Sequence, residues 1–323
     1  MNERADKAVE VHDLEKRFGD FIAVDRINFE VDGGEIFGFL GPNGAGKSTT
    51  IRMLCGIISP TSGEGHVGGY DIVREQEPIK QNIGYMSQRF SLYGELTVEE
   101  NIDFYSGIYR IPSRRKKERK EWVIKMAGLE GLRSNRTDTL SGGWKQRLAL
   151  GCAILHEPKI VFLDEPTSGV DPIARQNFWN LIKEMAASGV TVFVTTHYMD
   201  EAENCDRIAL IYRGNIIACG TPHQLKTESM KEDVLEVTIT EPEGWIEKLL
   251  QLKKVKETAL FGVALHVVVE DAESAIPSIK ELFAQEKMTD YRIDKIRPSL
   301  ENVFVSLIES HDKGEFNNEP RKS

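Results

Sequence analysis

Residues 41–49 read GPNGAGKST, between the apolar run EIFGFL and the helical stretch TTIRMLCGI. Glycines at 41, 44 and 46 let backbone N–H groups turn inward around phosphate oxygens, and a helix starting there directs its positive dipole end at the same place. The spacing GxxxxGK[ST] in a strand–loop–helix context is that of a phosphate-binding loop. It makes Gly41, Pro42, Asn43, Gly44, Ala45, Gly46, Lys47, Ser48 and Thr49 the candidate nucleotide cradle. Lys47 reaches the β and γ phosphates and the Ser48 hydroxyl takes Mg²⁺.

A second chemical pair closes the apolar run KIVFLDEP at 159–166. Adjacent strand residues face opposite sides, so Asp164 and Glu165 are free to differ in role. Beside a phosphate loop, an Asp at such a strand end orients Mg²⁺ and the Glu is placed as general base toward a water beyond the γ-phosphate. The third feature is LSGGWKQR at 140–147. Ser141 is a fitting N-cap, and Gly142 and Gly143 leave N–H groups unobstructed at a helix start, a second phosphate-binding terminus. One nucleotide in one loop does not need two termini, which points to two chains head to tail, each loop facing the other chain's SGG. A plain helix cap is the alternative.

These groups need a scaffold, and the chain of 323 residues has room for one large domain and a smaller one. Its formal charge of −10 disfavours a nucleic-acid binder, which would need clustered Lys and Arg. Cys55, Cys152, Cys205 and Cys219 show no metal-ligand or CxxC spacing, and MNERADKAVE has no apolar signal core, so the expectation is a reduced, cytoplasmic chain. No apolar run approaches the ~18 residues of a membrane-spanning helix, which leaves a peripheral membrane role.

From residue 8 to about 218, β-rich runs alternate with helical patterns, predicting an α/β sheet domain over 1–222. EIFGFL, IVFLDE and TVFVTT are nearly all apolar and are expected in the middle of the sheet. Between 89 and 156 only helical patterns occur, predicting a helical subdomain. From 223 to 310 the order reads βαββαβ, a small ferredoxin-like α+β domain. Its closing helix SLENVFVSLIES either packs on its own sheet or docks on the first domain, and 311–323 reads as a disordered tail. The basic run SRRKKERKEW at 113–122 reads as a solvated helix face, with contact to acidic lipid headgroups as the rival.

Together, GPNGAGKST and LSGGWKQRLALGCAILHEPKIVFLDEPTSGVDP resemble the Walker A loop, signature helix, Walker B strand and D-loop of an ATP-binding cassette (ABC) ATPase, over residues 8 to about 220. TSGVDP and PSLENVFVSLIES further resemble ATPase subunits of ABC-2 type exporters, including the YbhF-like branch. The resemblance implies a P-loop NTPase cassette with a mixed sheet core and a helical subdomain. It also assigns positions that mean little alone. Phe18 stands where an aromatic stacks on adenine. Gln88 matches the Q-loop glutamine touching Mg²⁺ and water, and His197 the switch histidine at the γ-phosphate. Asp171 matches the D-loop aspartate between the two sites. Trp144 departs from the family, which has Gln or another polar residue there.

The implied activity is ATP hydrolysis with Mg²⁺ in a dimer with a second copy or a homologous subunit. The implied partners are separate ABC-2 type permease subunits at the cytoplasmic face of the cell membrane. The rivals are an ABC ATPase acting on ribosomes or DNA and a nucleotide-gated regulatory module; complete catalytic motifs speak against the latter.

Overall fold

The computed structural model describes residues 7–230 and 232–312, and its contacts divide the chain between Thr221 and Pro222. The first unit holds two sheets. One is antiparallel, in the order β2 (Phe21–Asp32), β1 (Lys7–Phe18), β4 (Ser62–Val67), β5 (Tyr70–Asp71). The other runs β10 (Asn215–Gly220), β9 (Arg207–Tyr212), β3 (Ile36–Leu40), β8 (Thr191–Thr196), β7 (Ile160–Asp164), β6 (Ile83–Met86). Within it β9, β3, β8, β7 and β6 are parallel, and β10 is an antiparallel edge. Every residue of β3, β7 and β8 is buried, as strands covered on both faces should be. They stand in the middle, as their apolar composition predicts.

Phenylalanines fix the register of these strands. Phe37 of β3 pairs with Phe193 of β8, which pairs with Phe162 of β7, while Phe39 lies on the same face two residues from Phe37. Phe29 of β2 covers that row with ring centroids 5.6–6.0 Å away, so the two sheets share one aromatic core. Each such buried ring contributes about 1.5–3 kcal/mol, and a one-residue slip of a strand would carry its phenylalanines to the other face of the sheet, away from Phe29.

This order carries the functional consequence. In a parallel sheet the loops after the strands all leave from the same edge. The loop before α1 (Lys47–Leu54) follows β3, Gln88 follows β6, Glu165 follows β7 and His197 follows β8. Four segments far apart in sequence are thereby delivered to one edge.

Beside the sheets, α2 (Gln76–Asn82) leads into β6, and α3 (Val98–Ile108), α4 (Ser113–Met126) and α5 (Gly142–Ala153) form the helical region. It has its own core of Val98, Ile102, Val123, Ile124, Leu148 and Leu155. A capping box between Thr97 and Glu100 starts α3, and Gly151 lets α5 meet α4 where a Cβ would come within 2.5 Å of Val123. The basic run is only partly a solvated face, since Arg119 is buried and bonded to Leu155 O at 3.0 Å and Lys120 pairs with Glu99 and Asp103. Trp144 packs on this helical core with Arg147 over its ring. The unit's last helix, α6 (Pro172–Ala187), lies between β7 and β8 in sequence.

The second unit comprises α7 (Pro222–Glu228), β11 (Asp233–Ile239), α8 (Ile246–Leu250), β12 (Val255–Phe261), β13 (Ala264–Val269), α9 (Ala272–Gln285), β14 (Tyr291–Ile296) and α10 (Leu300–Asp312). Its sheet is antiparallel in the order β12-β13-β11-β14. One face packs on α8 and α9 through Leu235, Val237, Leu265, Val267, Leu249, Ile279 and Phe283. On α10, Leu300, Val303, Phe304 and Leu307 are buried, and Asn302 contacts His266 of β13 at 3.3 Å, so that helix packs within its own unit. Two boundaries differ from the sequence expectation. Pro222 opens the second unit, because it starts α7, and residues 311–312 continue α10 instead of belonging to a tail; 313–323 lie outside the described residues.

Candidate functional site

The site is built around Lys47, which is 4% exposed. Its Nζ donates to Gly41 O at 2.8 Å and Pro42 O at 3.1 Å, and it pairs with Glu165 Oε1 at 3.1 Å. The loop beneath it needs glycine for two separate reasons. Gly44 and Gly46 have φ of +81° and +112°, where a side chain is strained. At Gly41 a Cβ would lie 2.1 Å from Ile211 O, so β9 closes off that position.

Ser48 Oγ donates to Asp164 Oδ1 at 2.9 Å, and Thr195 Oγ1 donates to the same oxygen at 2.9 Å. Asp164 Oδ2 is buried with no hydrogen-bond partner among the described residues. Burial raises this carboxyl above the ordinary aspartate range, against the pull of the two hydroxyls. A buried carboxylate oxygen without a donor, beside a hydroxyl, is a hard-oxygen set of the kind Mg²⁺ takes. The residues therefore fit that ion.

Glu165 adopts φ +46°, uncommon for a residue with a side chain and costing on the order of 1–3 kcal/mol. Thr195 holds it there, accepting from Glu165 N at 2.9 Å through Oγ1 and at 3.2 Å through its carbonyl. The turned backbone ends the strand at Asp164 and brings the Glu165 carboxylate to three other predicted residues. Lys47 meets one oxygen, while Gln88 Nε2 at 3.0 Å and His197 Nδ1 at 3.3 Å meet the other. Thus Lys47, Ser48, Gln88, Asp164, Glu165 and His197 form one cluster.

Ser141, Gly142, Gly143 and Asp171 form a second locus. Asp171 caps α6, accepting from Ile173 N at 3.1 Å and Ala174 N at 2.9 Å. The glycine pair lies against this cap: a Cβ on Gly142 would be 3.5 Å from Val170, and one on Gly143 only 3.0 Å from Ala174. Ser141 occupies the N-cap position of α5, exposed, but contrary to expectation its hydroxyl makes no capping bond. Phe18 is 54% exposed at the tip of the β1–β2 hairpin, with Lys16 Nζ 5.1 Å from its ring centre. That hairpin abuts the phosphate loop through Ala23 O, which a Cβ on Gly46 would approach within 2.6 Å.

Two functional residues were not singled out in the sequence. Thr195 is one, and its signal is a hydroxyl pair, TT, ending an otherwise apolar strand. The other is Gln146, buried in α5 and donating to Pro166 O just past Glu165, which ties the glycine-led helix to the cluster. A glutamine one turn into that helix, between Lys145 and Arg147, is its only mark.

Comparisons with known proteins agree with this geometry. The family model described as ABC transporter matches residues 24–168. The Probable multidrug ABC transporter ATP-binding protein YbhF of Escherichia coli is 53% identical over 231 residues, which are 72% of this chain and 40% of that protein, so the chain spans less than half of that relative's length. The Linearmycin resistance ATP-binding protein LnrL of Bacillus subtilis is 33% identical over 303 residues, 93% of this chain and 97% of that protein. Among solved structures, the dimeric post-hydrolysis state of the ATP-binding cassette MJ0796 bound to ADP and Pi has a TM-score of 0.60 at 27% identity, covering 66% of this chain and 98% of that one.

Proposed function

This chain belongs to the ABC transporter ATP-binding family, and we propose that it is the ATP-hydrolysing subunit of an ABC-2 type exporter. The observation that carries this reading is the convergence of Lys47, Ser48, Gln88, Asp164, Glu165 and His197 at one edge of the parallel sheet. The phosphate chain of ATP lies on the N–H groups of Gly44, Gly46 and Lys47, with Lys47 Nζ released from Gly41 O and Pro42 O to the β and γ oxygens. Phe18 stacks on the adenine.

Ser48, Asp164 and Gln88 would hold Mg²⁺, which when bound neutralises phosphate charge. Glu165 orients and deprotonates the attacking water, and His197, which meets the same Glu165 oxygen as Gln88, contacts the γ-phosphate. Ser141, Gly142 and Gly143 of a second copy or homologous subunit close the site, with Asp171 between the two sites. Exposure of Ser141 and Gly142 supports this, since their N–H groups are accessible at a helix start. ATP then joins two chains and hydrolysis releases them.

No helix among the described residues is long and apolar enough to cross a membrane, so the transport path belongs to separate permease subunits, with this chain peripheral at the cytoplasmic face. The names of the relatives, a multidrug transporter protein and a resistance protein, favour export. We read the second unit as a ferredoxin-like accessory domain for control or assembly, from its βαββαβ order.

The test is Glu165→Gln, which removes the base and leaves the cradle. Turnover falls by at least about 100-fold, and sizing in ATP and Mg²⁺ shows a dimer. Unchanged turnover, or monomer only with ATP bound, refutes the reading. Membrane permease subunits recovered with the chain from detergent extracts test the exporter assignment, and recovery with ribosomes instead refutes it.

A further inference from the structure

We propose that Arg175 is a positioning residue that ties the start of α6 to His197 through Tyr198, so that movement at Asp171 is felt at the Glu165 carboxylate. The proposal rests on the reading of Glu165 and His197 as the hydrolytic pair, and adds a connection to it.

The contacts run in series. Arg175 lies one helical turn beyond Asp171, its N–H bonded to Asp171 O at 3.0 Å. Its guanidinium lies 4.1 Å from the centre of the Tyr198 ring. That ring in turn lies 4.1 Å from the His197 ring, tilted by 37°, and His197 Nδ1 is 3.3 Å from Glu165 Oε2. Four contacts thus lead from the capping residue of α6 to the general base.

The charges around Arg175 show why the stack sets its position. It pairs with Glu201 at 3.4 Å and Asp200 at 3.5 Å, both looser than a charge-assisted hydrogen bond of about 2.7–2.9 Å. The Glu201 side chain is 1% exposed, and neither carboxylate oxygen has a hydrogen-bond partner among the described residues. Glu201 sits in the short 3-10 helix Met199–Asn204 that follows His197 and Tyr198. A buried carboxylate held by a loose ion pair draws that short helix toward α6 without locking it, and the planar stack on Tyr198 supplies the definite geometry. A cavity of about 270 Å³ beside these ion pairs is lined by Arg175 and Trp179 of α6 and by Asp200 and Glu201 of the 3-10 helix. The Trp179 Nε1 donor, buried without a partner among the described residues, belongs to the same cavity wall.

A merely structural role for Arg175 would be to neutralise Glu201, and the experiment separates the two. In the full-length chain, steady-state ATPase, affinity for a fluorescent ATP analogue and melting temperature are measured for Tyr198→Leu, Arg175→Lys, Arg175→Met and Arg175→Met with Glu201→Leu. Tyr198→Leu leaves every charge in place but removes the stack, and Arg175→Lys keeps the charge without the planar face. Both are expected to lower kcat by at least about 10-fold, as for a misplaced catalytic group, with analogue affinity and KM changed by less than about twofold.

Arg175→Met should also lower the melting temperature, by stranding Glu201. The double variant should regain the melting temperature while kcat stays low. Wild-type kcat in Tyr198→Leu or Arg175→Lys, or recovery of kcat with melting temperature in the double variant, overturns the proposal. Glu165→Gln assayed alongside keeps the questions apart: if it retains turnover, the reading of the hydrolytic pair is at fault, and if it loses turnover, the other variants judge Arg175 alone.

Discussion

Thr195→Val tests whether one buried hydroxyl holds the two acidic residues in their different roles. Thr195 is fully buried, and valine has nearly its shape, so the substitution opens no cavity and removes only hydrogen bonds. One of those is a bond to the Asp164 carboxylate at 2.9 Å, which as a charge-assisted bond is worth about 1.5–3 kcal/mol. The other is the 2.9 Å bond from Glu165 N. That N–H keeps the Thr195 carbonyl at 3.2 Å as an acceptor, so its loss adds no more than about 0.5–1 kcal/mol.

The expected cost is about 2–4 kcal/mol, or roughly 4–16 °C in the melting of a unit of this size. The pH dependence has a definite sign. Asp164 is already held above its ordinary value of 3.8 by burial, and losing a donor raises it further. The cost is therefore fully felt where the carboxylate is charged and shrinks as pH falls through the folded-state value. Glu165 also loses its anchor in a strained backbone conformation, so kcat should fall about 10- to 100-fold, with analogue affinity far less changed. Calorimetry at several pH values and steady-state ATPase check both parts. A melting temperature within about 1 °C of the parent, together with unchanged kcat, would refute the role assigned to the hydroxyl.

Three further expectations follow from the same geometry. Lys47→Ala removes the cation between Gly41 O, Pro42 O and Glu165; affinity for a fluorescent ATP analogue should drop by at least about 10-fold, and undiminished affinity would sink the phosphate-loop assignment. In the second unit, burial and the neighbouring Glu309 raise Glu257 from 4.5 to about 7, with the Lys256–Glu232 ion pair beside it. Because the folded state holds that proton more tightly than the unfolded chain, the contribution of Glu257 to stability declines as pH rises from about 4.5 to about 7. Glu257→Gln should therefore raise the melting temperature at pH 8 more than at pH 4, and an equal effect at both would show that the carboxyl is not perturbed. Finally, each unit has its own apolar core, so truncation after Thr221 should leave analogue affinity unchanged; loss of binding in a folded truncation would show that the second unit helps build the site.

What was legible in the sequence depended on whether a residue's role was written locally. Gly44, Gly46, Lys47 and Ser48 act within one loop, and their spacing states the geometry almost completely. The central strands were readable for a similar reason, since burial on both faces leaves an uninterrupted apolar run such as IVFLD. Strands β4, β5 and β10 were not, because SGEGHV is rich in glycine and only half buried, and YD is two residues long. Gln88 and His197 carry no pattern of their own; only the strand order, which puts β6 and β8 either side of β7, makes their meeting at Glu165 intelligible. Thr195 and Arg175 act on backbone and rings brought near by that order.

The glycine pair at 142–143 shows how two demands can share one pair of residues. Read locally, SGG at a helix start leaves N–H groups open, and the exposed Ser141 and Gly142 retain that property. Gly143 answers to a different constraint, because α6 passes so close that even a Cβ would press on Ala174 at 3.0 Å. Three residues further along, Gln146 of the same helix joins α5 to the backbone beyond Glu165. A ligand drawn to the open end of α5 would therefore press on a helix already in contact with the capped start of α6 and tied by hydrogen bond to the loop that carries Glu165. Polar capping alone would need neither the close approach nor the buried glutamine. Their joint presence couples the glycine-led terminus to the start of α6 and to the loop carrying Glu165, while the Ser141 hydroxyl makes no capping bond to its own helix.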